Sequence, residues 1–596
     1  MWVASARRRR RFALYLGLAA VMAWSCSNGA FTLNRSGSES AAPGTNFPPG
    51  FAAAGALTSG TPGVGNPGSD VPSLPPEIEQ DPGFRLPVLS GRFVWAANPE
   101  SGRVSAIDTR SLEVQVAQAG FAPTYLASLP TSESVLSRAI VLNARSHDAS
   151  VLTLTDKGIT TAKVPTHVGA NAWTVSPSGR FAIAWTNSAS IDNPDVLESF
   201  QDLTVIDTER ASATRLSVGY RPSRIFVQED EQRAFVVSEP GLSVIELTDE
   251  PFIGRDLALS DSSGRDALDV AVVPSGTHAI LRFEGSPHVI LVEIESGTES
   301  RVTLSGPVTD LDLVADGSAA IAVVRGQPVV PPSAATGASG AGGEGGESGE
   351  SGAGGAAGAA AENGGEGGAT GGSGGTPPPT SPGYGPSEIA VLPIPGVLND
   401  PALRESVQTD ELVGSVSVSE RGDRALLYTT ATESARVVTL ATAPDAADYL
   451  APRTIALRAP VEAVFIAPDA EHAVVSLKRG SSAGGAFGVV PLHAALPVKT
   501  HVTDAPVTGV AFAPAPTRHA VVIAKTGLTA YVVKMPSFLV TPVELPSLPL
   551  AAGIIAEENA AFIVEEHPEG RLSLIDLESA EQRTLTGFEL SAGVRP

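Results

Sequence analysis

Residues 92–109 read RFVWAANPESGRVSAIDT, and residues 561–577 read AFIVEEHPEGRLSLIDL. Each stretch has an apolar run, a polar turn that ends in glycine, and a second apolar run that closes on Ile-Asp. Short apolar runs joined by a turn containing Pro and Gly are typical of paired β-strands. The same pattern near both ends of the chain therefore predicts a repeated hairpin.

Related phrases fill the chain between these two stretches. Alternating residues lead into a Pro-x-Gly or Pro-Asp turn at residues 173–181, 270–276 and 464–469. Alignment of all phrases puts the second strand of each unit near residues 92, 138, 180, 233, 278, 319, 424, 472, 518 and 560. Four strands in a repeat of about 40–45 residues are typical of a propeller blade. We therefore predict an all-β fold, a β-propeller of four-stranded antiparallel blades with about ten repeat units. The units form either one large ring or two smaller rings.

The wording of the repeats also resembles a known family. The run from Trp95 to Gly102, followed by Val104-Ser-Ala-Ile-Asp-Thr109, resembles the YVTN type of bacterial surface-layer propeller repeat. The similarity is best in the units that begin at Arg92, Arg180 and Ala561. It implies the propeller fold and leaves the activity open.

The N-terminus has the pattern of an export signal. Five arginines at 7–11 precede an apolar stretch from Phe12 to Trp24, and Cys26 follows. The order of a charged region, a short apolar region and a small residue is typical of a signal peptide. The residues that lead into Cys26 resemble a bacterial lipobox, and Cys26 is the only cysteine of the 596 residues. We predict a lipoprotein signal peptide at 1–25 and lipidation of Cys26. The resemblance implies an exported protein, lipid-anchored to the outer membrane or cell surface. The alternative is an ordinary cleaved leader with a leftover thiol.

Two segments are rich in Gly, Pro, Ser and Ala. They cover residues 26–84 and 327–386. Such segments cannot bury enough apolar surface to offset their ordering entropy, so we predict a disordered tether and a disordered insertion. The propeller then spans 85–596. The insertion falls between the expected second and third strands of one blade, which favours a loop extension over a spacer between two propellers.

Charge and motifs exclude several functions. The net charge is −24, and the only basic cluster lies in the leader, so we predict no nucleic-acid partner. The sequence has no Gly-rich phosphate loop, no His-Glu-x-x-His, no Gly-x-Ser-x-Gly and no paired cysteines. We therefore predict no catalytic, cofactor-binding or metal-binding residues, and no cofactor.

Recurring polar residues receive structural interpretations. The histidines that recur at the start of second strands are His278, His472 and His519. The aspartates that recur at the end of third strands are Asp108, Asp207 and Asp576, and an aspartate there hydrogen-bonds the backbone of its own turn. The oxygen-rich stretch Asp192-Asn-Pro-Asp195 is interpreted as a solvated turn and not as a calcium site. The tryptophans at 95, 173 and 185 are expected to pack between blades.

Three functions fit this sequence. The favoured hypothesis is a cell-envelope lipoprotein whose propeller is a binding or scaffold module for protein or glycan. A propeller enzyme of lactonase or quinoprotein type is the first alternative, although no clear set of ligands or catalytic carboxylates supports it. A structural spacer without a specific ligand is the second. Whether the chain is an enzyme stays open, with the balance against it.

Overall fold

The structure is a computed structural model that describes most of the chain after residue 87. The described residues are 88–588 without 132–134, 189–198, 240, 260–268, 328–383, 480–483, 494–496, 516 and 525. Cys26, the predicted tether, the body of the Gly-rich insertion and the stretch Asp192–Asp195 lie outside the described residues.

Forty strands in the described part of the chain form ten four-stranded antiparallel sheets, which are the blades of a ten-bladed β-propeller. Each blade takes four consecutive strands, paired in chain order. Blades 1 to 5 contain β1 Val88–Ser90, β2 Phe93–Asn98, β3 Arg103–Asp108, β4 Val114–Gln118; β5 Pro123–Leu129, β6 Ser137–Asn143, β7 Asp148–Thr155, β8 Gly158–Pro165; β9 Ala172–Val175, β10 Phe181–Trp185, β11 Asp202–Asp207, β12 Ser212–Ser217; β13 Arg224–Val227, β14 Arg233–Ser238, β15 Gly241–Glu246, β16 Phe252–Ala258; β17 Asp269–Val272, β18 His278–Arg282, β19 His288–Glu293 and β20 Glu299–Thr303.

The second half of the ring repeats the same order. Blades 6 to 10 contain β21 Val308–Leu313, β22 Ala319–Val324, β23 Ser387–Pro393, β24 Glu405–Thr409; β25 Ser415–Val418, β26 Arg424–Tyr428, β27 Arg436–Ala441, β28 Arg453–Ala456; β29 Val461–Ile466, β30 His472–Leu477, β31 Gly485–Pro491, β32 Lys499–Thr503; β33 Gly509–Phe512, β34 His519–Ile523, β35 Thr529–Lys534, β36 Leu539–Glu544; β37 Pro549–Ile555, β38 Ala560–Glu565, β39 Arg571–Asp576 and β40 Gln582–Thr586. One short helix, α1 Gly396–Asn399, and two 3₁₀ turns, Pro401–Leu403 and Ala556–Glu558, complete the described elements. Among the described residues, no helix is both long and apolar enough to cross a membrane.

The sequence prediction of ten blades is confirmed. The second strands begin within one residue of every predicted position; for example, β2 begins at Phe93, β18 at His278 and β34 at His519. The ring is single, because each blade packs on its two neighbours around the full circle.

The middle strands of a blade are apolar on both faces because a blade has a neighbour on either side. In β22, Ala320, Ala322 and Val324 pack against blade 5. The alternate residues Ile321 and Val323 pack against blade 7. Successive side chains of a strand point to opposite faces, so a strand buried on both faces reads as a continuous apolar run.

The ring closes by side-chain packing between blade 10 and blade 1. Val94 and Ile107 of blade 1 form one buried cluster with Phe562 and Leu574 of blade 10. Phe588, just beyond β40, is buried in the same cluster. In the described residues, blade 1 consists of β1–β4 and blade 10 of β37–β40, so neither blade borrows a strand from the other.

First strands line the centre of the ring, and fourth strands form its rim. First strands of neighbouring blades contact one another, as β21 contacts β25 and β33 contacts β37. The fourth strands are open to solvent on alternate residues, as in β16. The strands β22 and β23, which flank the Gly-rich insertion, pair along their full length in blade 6.

Candidate functional site

The two ends of the ring carry different loops. All first strands run in the same direction, as the bond from Ser90 Oγ at the end of β1 to the Leu129 carbonyl at the end of β5 illustrates (3.5 Å). We call the end where first strands begin the apical end; it carries the linkers between blades and the loops between second and third strands. The opposite, basal end carries the other two turns of each blade.

Three successive linkers expose a large apolar side chain at the apical end. Phe121 lies between blades 1 and 2, Val168 between blades 2 and 3, and Tyr220 between blades 3 and 4. Their exposed fractions are 75%, 46% and 40%. We call these three residues the apical arc. Since stacked sheets pack about 10 Å apart, the arc extends over roughly 20 Å.

The arc occupies only one part of the ring. At the other described linkers, the exposed positions hold polar or charged residues or proline: Ser305, Asp410, Arg458, Asp504 and Pro546. Outside the linkers, the apical end also exposes Val502 near the end of β32, Leu528 between β34 and β35, and Leu550 at the start of β37. Among the described linkers between blades, only these three expose a large apolar side chain, and exposed apolar groups close together on a surface mark interaction sites: Phe121, Val168 and Tyr220.

Tyr220 belongs to a cluster of two aromatic side chains and one arginine. The Phe200 and Tyr220 rings meet edge to face with centroids 6.0 Å apart. The Arg221 guanidinium lies 5.1 Å from the Tyr220 ring and 5.9 Å from the Phe200 ring. Arg221 also donates to Glu239 of blade 4 (3.0 Å), and the Glu239 amide donates to the Tyr220 carbonyl (3.0 Å). These contacts hold the linker in place.

A buried histidine fixes the middle of the arc. His167, next to Val168, is 2% exposed; its Nδ1 lies 2.9 Å from Thr204 Oγ1 and its Nε2 lies 3.2 Å from Thr186 Oγ1. Burial lowers the pKa of His167 to about 4, although Asp202 acts in the opposite sense. The His167 imidazole is therefore uncharged at neutral pH, and both of its nitrogens make contacts within the protein.

Phe121 is held by the adjacent loop of blade 2. Its amide donates to Ser146 Oγ (2.9 Å), and its carbonyl accepts from the Arg145 amide (3.1 Å). The Arg145 residue is exposed. The backbone of a basic residue thus contacts the most exposed of the large apolar residues that the structure describes.

Charged residues also lie on the inner strands, between blades 6 and 7. Asp310 and Asp312 of β21 accept backbone amides of the facing β25: Val416 N to Asp310 Oδ2 (2.7 Å) and Val418 N to Asp312 Oδ2 (2.9 Å). Burial raises the pKa of Asp310 to about 7, even though Arg282 opposes this. Burial and the Asp310 carboxylate raise the pKa of Asp312 well above its ordinary value. These carboxylates join two blades, which is a structural role.

The same inner layer continues into blades 4 and 5. Asp269 of β17 lies 3.9 Å from Arg282 Nη2 and 3.6 Å from Arg224 Nη1. Burial raises the pKa of Asp269 despite both arginines. Among the described residues, no group of three or more His, Cys, Asp or Glu side chains has the geometry to hold a metal ion.

The recurring residues of the sequence lie where the repeat places them. His278, His472 and His519 begin β18, β30 and β34. The aspartates close third strands and accept turn amides, as Asp576 Oδ1 does from Glu578 (3.0 Å) and Ser579 (2.7 Å).

The three tryptophans pack on strands. Trp95 is fully buried, and its Nε1 donates to Ser137 Oγ of blade 2 (2.7 Å). Trp185 is 5% exposed in the cluster between blades 3 and 4, and Trp173 packs against the same cluster.

Reading the sequence did not single out the apical arc. A signal was present, because residues 119–123 read AGFAP and residues 218–222 read VGYRP, with an aromatic residue after the glycine of both linkers. The Asp310–Asp312 pair was missed because its partners, Val416 and Val418, lie 106 residues further along the chain.

Comparison with known proteins adds the following findings. No protein-family model and no curated protein matches the sequence. The dihydro-heme d1 dehydrogenase NirN in complex with DHE is similar at 11% identity and TM-score 0.40, over 87% of this chain and 76% of that one. The Kuenenia stuttgartiensis hydrazine synthase is similar at 13% identity and TM-score 0.31, over 60% of this chain and 92% of that one. A eukaryotic initiation factor is similar at 11% identity and TM-score 0.44, over 73% of this chain and 94% of that one. Likenesses this distant carry no argument about function.

Proposed function

We propose that this protein is an exported cell-envelope lipoprotein, held to the outer membrane or cell surface through a lipid on Cys26, whose ring binds a protein or glycan partner. The apical arc of Phe121, Val168 and Tyr220 is the contact surface. The leader, the position of the single cysteine and the Gly/Pro/Ser-rich segment after it support the anchoring.

The arc is the observation that carries the binding role. Transfer of one large apolar side chain from water into an interface contributes about 1.5–3 kcal/mol. Leaving three such side chains in solvent at equivalent positions gives up that contribution, whereas a partner would recover it. Because hydrogen bonds already hold the linkers of Phe121 and Tyr220, little ordering entropy is lost on binding.

The binding role is tested by affinity capture from envelope extract with three proteins: the parent, Phe121→Ala and Phe252→Ala. Phe252 is a matched control because it is 52% exposed and begins β16 at the basal end. We expect one component to be retained by the parent and by Phe252→Ala, and to be lost with Phe121→Ala. Equal retention by all three proteins would show that the arc is not the contact surface. No retention by any of them would favour a spacer role.

The anchoring is tested by mass spectrometry of the mature N-terminus and by fractionation of cells. We expect an acylated Cys26 at the N-terminus, and release of Cys26→Ser from the membrane fraction. An unmodified N-terminus at another residue would contradict the lipid anchor and leave the binding role to its own test.

A further inference from the structure

We infer that the linker of residues 166–171 is a pH-sensitive switch: a neutral His167 holds Val168 in the apical arc, and protonation of His167 in acid solution releases it. The inference rests on the proposed function, because it assigns a regulation to the same contact surface. Three features of the molecule support it: the hydrogen bonds of the buried imidazole, the charges around it, and the separate anchors at the two ends of the linker.

Hydrogen bonds to two hydroxyls of blade 3 determine where the proton of the imidazole lies. Thr186 Oγ1 donates its only proton to the Gly169 carbonyl (3.1 Å), so it accepts a hydrogen bond from Nε2 of His167 (3.2 Å). Nδ1 is then the unprotonated nitrogen. The Thr204 hydroxyl donates to this Nδ1 (2.9 Å) and accepts the His167 amide (3.0 Å). Both nitrogens of the neutral tautomer are therefore satisfied.

The same contacts disfavour the charged form of His167. A proton on Nδ1 would face the Thr204 oxygen, which already accepts an amide and whose own proton would lose its acceptor. Thr186 and Thr204 are themselves buried, and a buried charge needs an opposite charge, which hydroxyls do not supply. Burial accordingly lowers the pKa of His167 to about 4.

The surrounding charges leave His167 as the group that responds to acid. Among the described residues, the ionisable groups that act on its imidazole are Asp202, Arg215 and His147. Asp202 favours protonation, whereas Arg215, which is paired with Asp202, opposes it. Although burial acts in the opposite sense, the hydrogen bond from Arg215 lowers the pKa of Asp202, so this carboxylate stays ionised between pH 7 and pH 5. His147 also opposes protonation and is the residue to control for.

The two ends of the linker are anchored independently of the imidazole. At the start, the Thr166 amide donates to a carbonyl of blade 2 (2.9 Å). At the end, the Asn171 side chain donates to the Asn187 carbonyl (3.0 Å) and accepts the Asn187 amide (2.6 Å). Protonation of His167 therefore frees the middle of the linker, which carries Val168, and leaves its ends in place.

The pKa difference sets the size of the response. Opening of the linker returns His167 to solvent, where its pKa takes the ordinary value of 6.5 instead of about 4. Acid favours the open linker, because between these two values only the open form binds the proton. The ratio of open to closed linker should rise about twentyfold from pH 7 to pH 5.

Hydrogen exchange of the purified full-length chain, resolved to single amides, tests the inference. The proteins are the parent, His167→Gln and the control His147→Asn, since asparagine tolerates the left-handed backbone at position 147 (φ 53°). After correction for intrinsic rates, the amide of residue 167 should exchange about twentyfold faster at pH 5 than at pH 7 in the parent and the control. In His167→Gln it should exchange equally at both pH values. The Thr166 and Asn171 amides should stay unchanged in all three proteins.

A second variant, Thr186→Val, keeps the shape of the side chain and removes the acceptor of the Nε2 proton. An unsatisfied buried donor favours the open linker, so the His167 amide should exchange about fivefold faster than in the parent, or more, already at pH 7. Equal rates in these two proteins at pH 7 would overturn the inference. A parent whose corrected rate at residue 167 is the same at pH 7 and pH 5 would overturn it as well.

Capture from envelope extract at pH 7 and pH 5 connects the switch to binding. Val168 is 46% exposed in the arc, so loss of its contact should reduce retention by the parent about threefold at pH 5. His167→Gln should retain equal amounts at both pH values, and an equal loss in the two proteins would overturn the regulatory role. The exchange experiments contain no partner, so failure of the proposed function in capture is distinct from failure of the switch.

Discussion

Replacing Asp310 by asparagine should change how the stability of the ring depends on pH. Asp310 is 2% exposed, and its carboxylate accepts the amides of Leu311 (2.8 Å) and Val416 (2.7 Å). Burial raises its pKa from 3.8 to about 7. Between these two values the unfolded chain has released a proton that the folded chain still holds, so raising the pH favours unfolding. Above the folded pKa both states are ionised and the dependence ends.

The size of the effect follows from this pKa difference. One pKa unit corresponds to about 1.36 kcal/mol. Between pH 5.5 and pH 8, Asp310 should therefore lower the free energy of unfolding of the parent by about 2 kcal/mol relative to an asparagine variant. Asparagine also loses one acceptor for the two amides, which costs about 1–3 kcal/mol at every pH. This second effect lowers the variant's free energy of unfolding by the same amount at every pH and leaves its dependence on pH unchanged.

The assay is urea unfolding followed by tryptophan fluorescence at several pH values, with the free energies of parent and variant compared at each pH. Asp316→Asn removes an exposed carboxylate from the same blade and controls for the lost charge. We expect Asp310→Asn to gain stability relative to the parent as the pH rises from 5.5 to 7. A difference that stays constant with pH, or one that grows in favour of the parent, would refute the argument from burial.

Three further results are expected from the same assay. Trp95→Ala should cost about 3–5 kcal/mol, because it empties the interface between blades 1 and 2; a cost below about 1 kcal/mol would contradict that packing. The parent should lose stability as the pH falls from 6.5 towards about 4, because His167 binds a proton in the unfolded chain but stays neutral in the folded one. The free energy of unfolding of His167→Gln should fall less steeply over this range, and an equal fall in both proteins would contradict the prediction. At the closing interface, Phe562→Ala should cost about 3–5 kcal/mol, whereas Arg110→Ala, which breaks an exposed ion pair, should cost less than about 1 kcal/mol and respond to salt. The reverse order would mean that charge closes the ring.

The sequence predicted the parts of the fold that the repeat dictates. Apolar runs with a turn between them placed the second strands within one residue, because a strand buried on both faces leaves a continuous apolar pattern. The turn role of Asp576 was equally predictable, since its partners lie two and three residues away. The choice between one ring and two was not predictable, because it depends on contacts such as Val94 with Phe562, which join distant parts of the chain.

The candidate site was less predictable for the same reason. The exposure of Phe121 or Tyr220 depends on how neighbouring blades leave a linker uncovered, and an aromatic residue beside glycine in a sequence reads equally well as core. Asp310 looked like an ordinary strand residue until β25 was placed beside it. The blades could therefore be predicted from local sequence patterns, whereas the candidate site became visible only in the assembled ring.

The contiguity of every blade has a consequence for the order of folding. A chain that is synthesised from its N-terminus can complete blade 1 from β1–β4 as soon as those strands are released, with no strand held open for a later partner. Each following blade then folds onto the last one, and the apolar surface of blade 1 around Val94 stays uncovered until Phe562 arrives. The stage most open to aggregation is therefore the last one, when nine folded blades still expose an apolar face at each end of the incomplete ring.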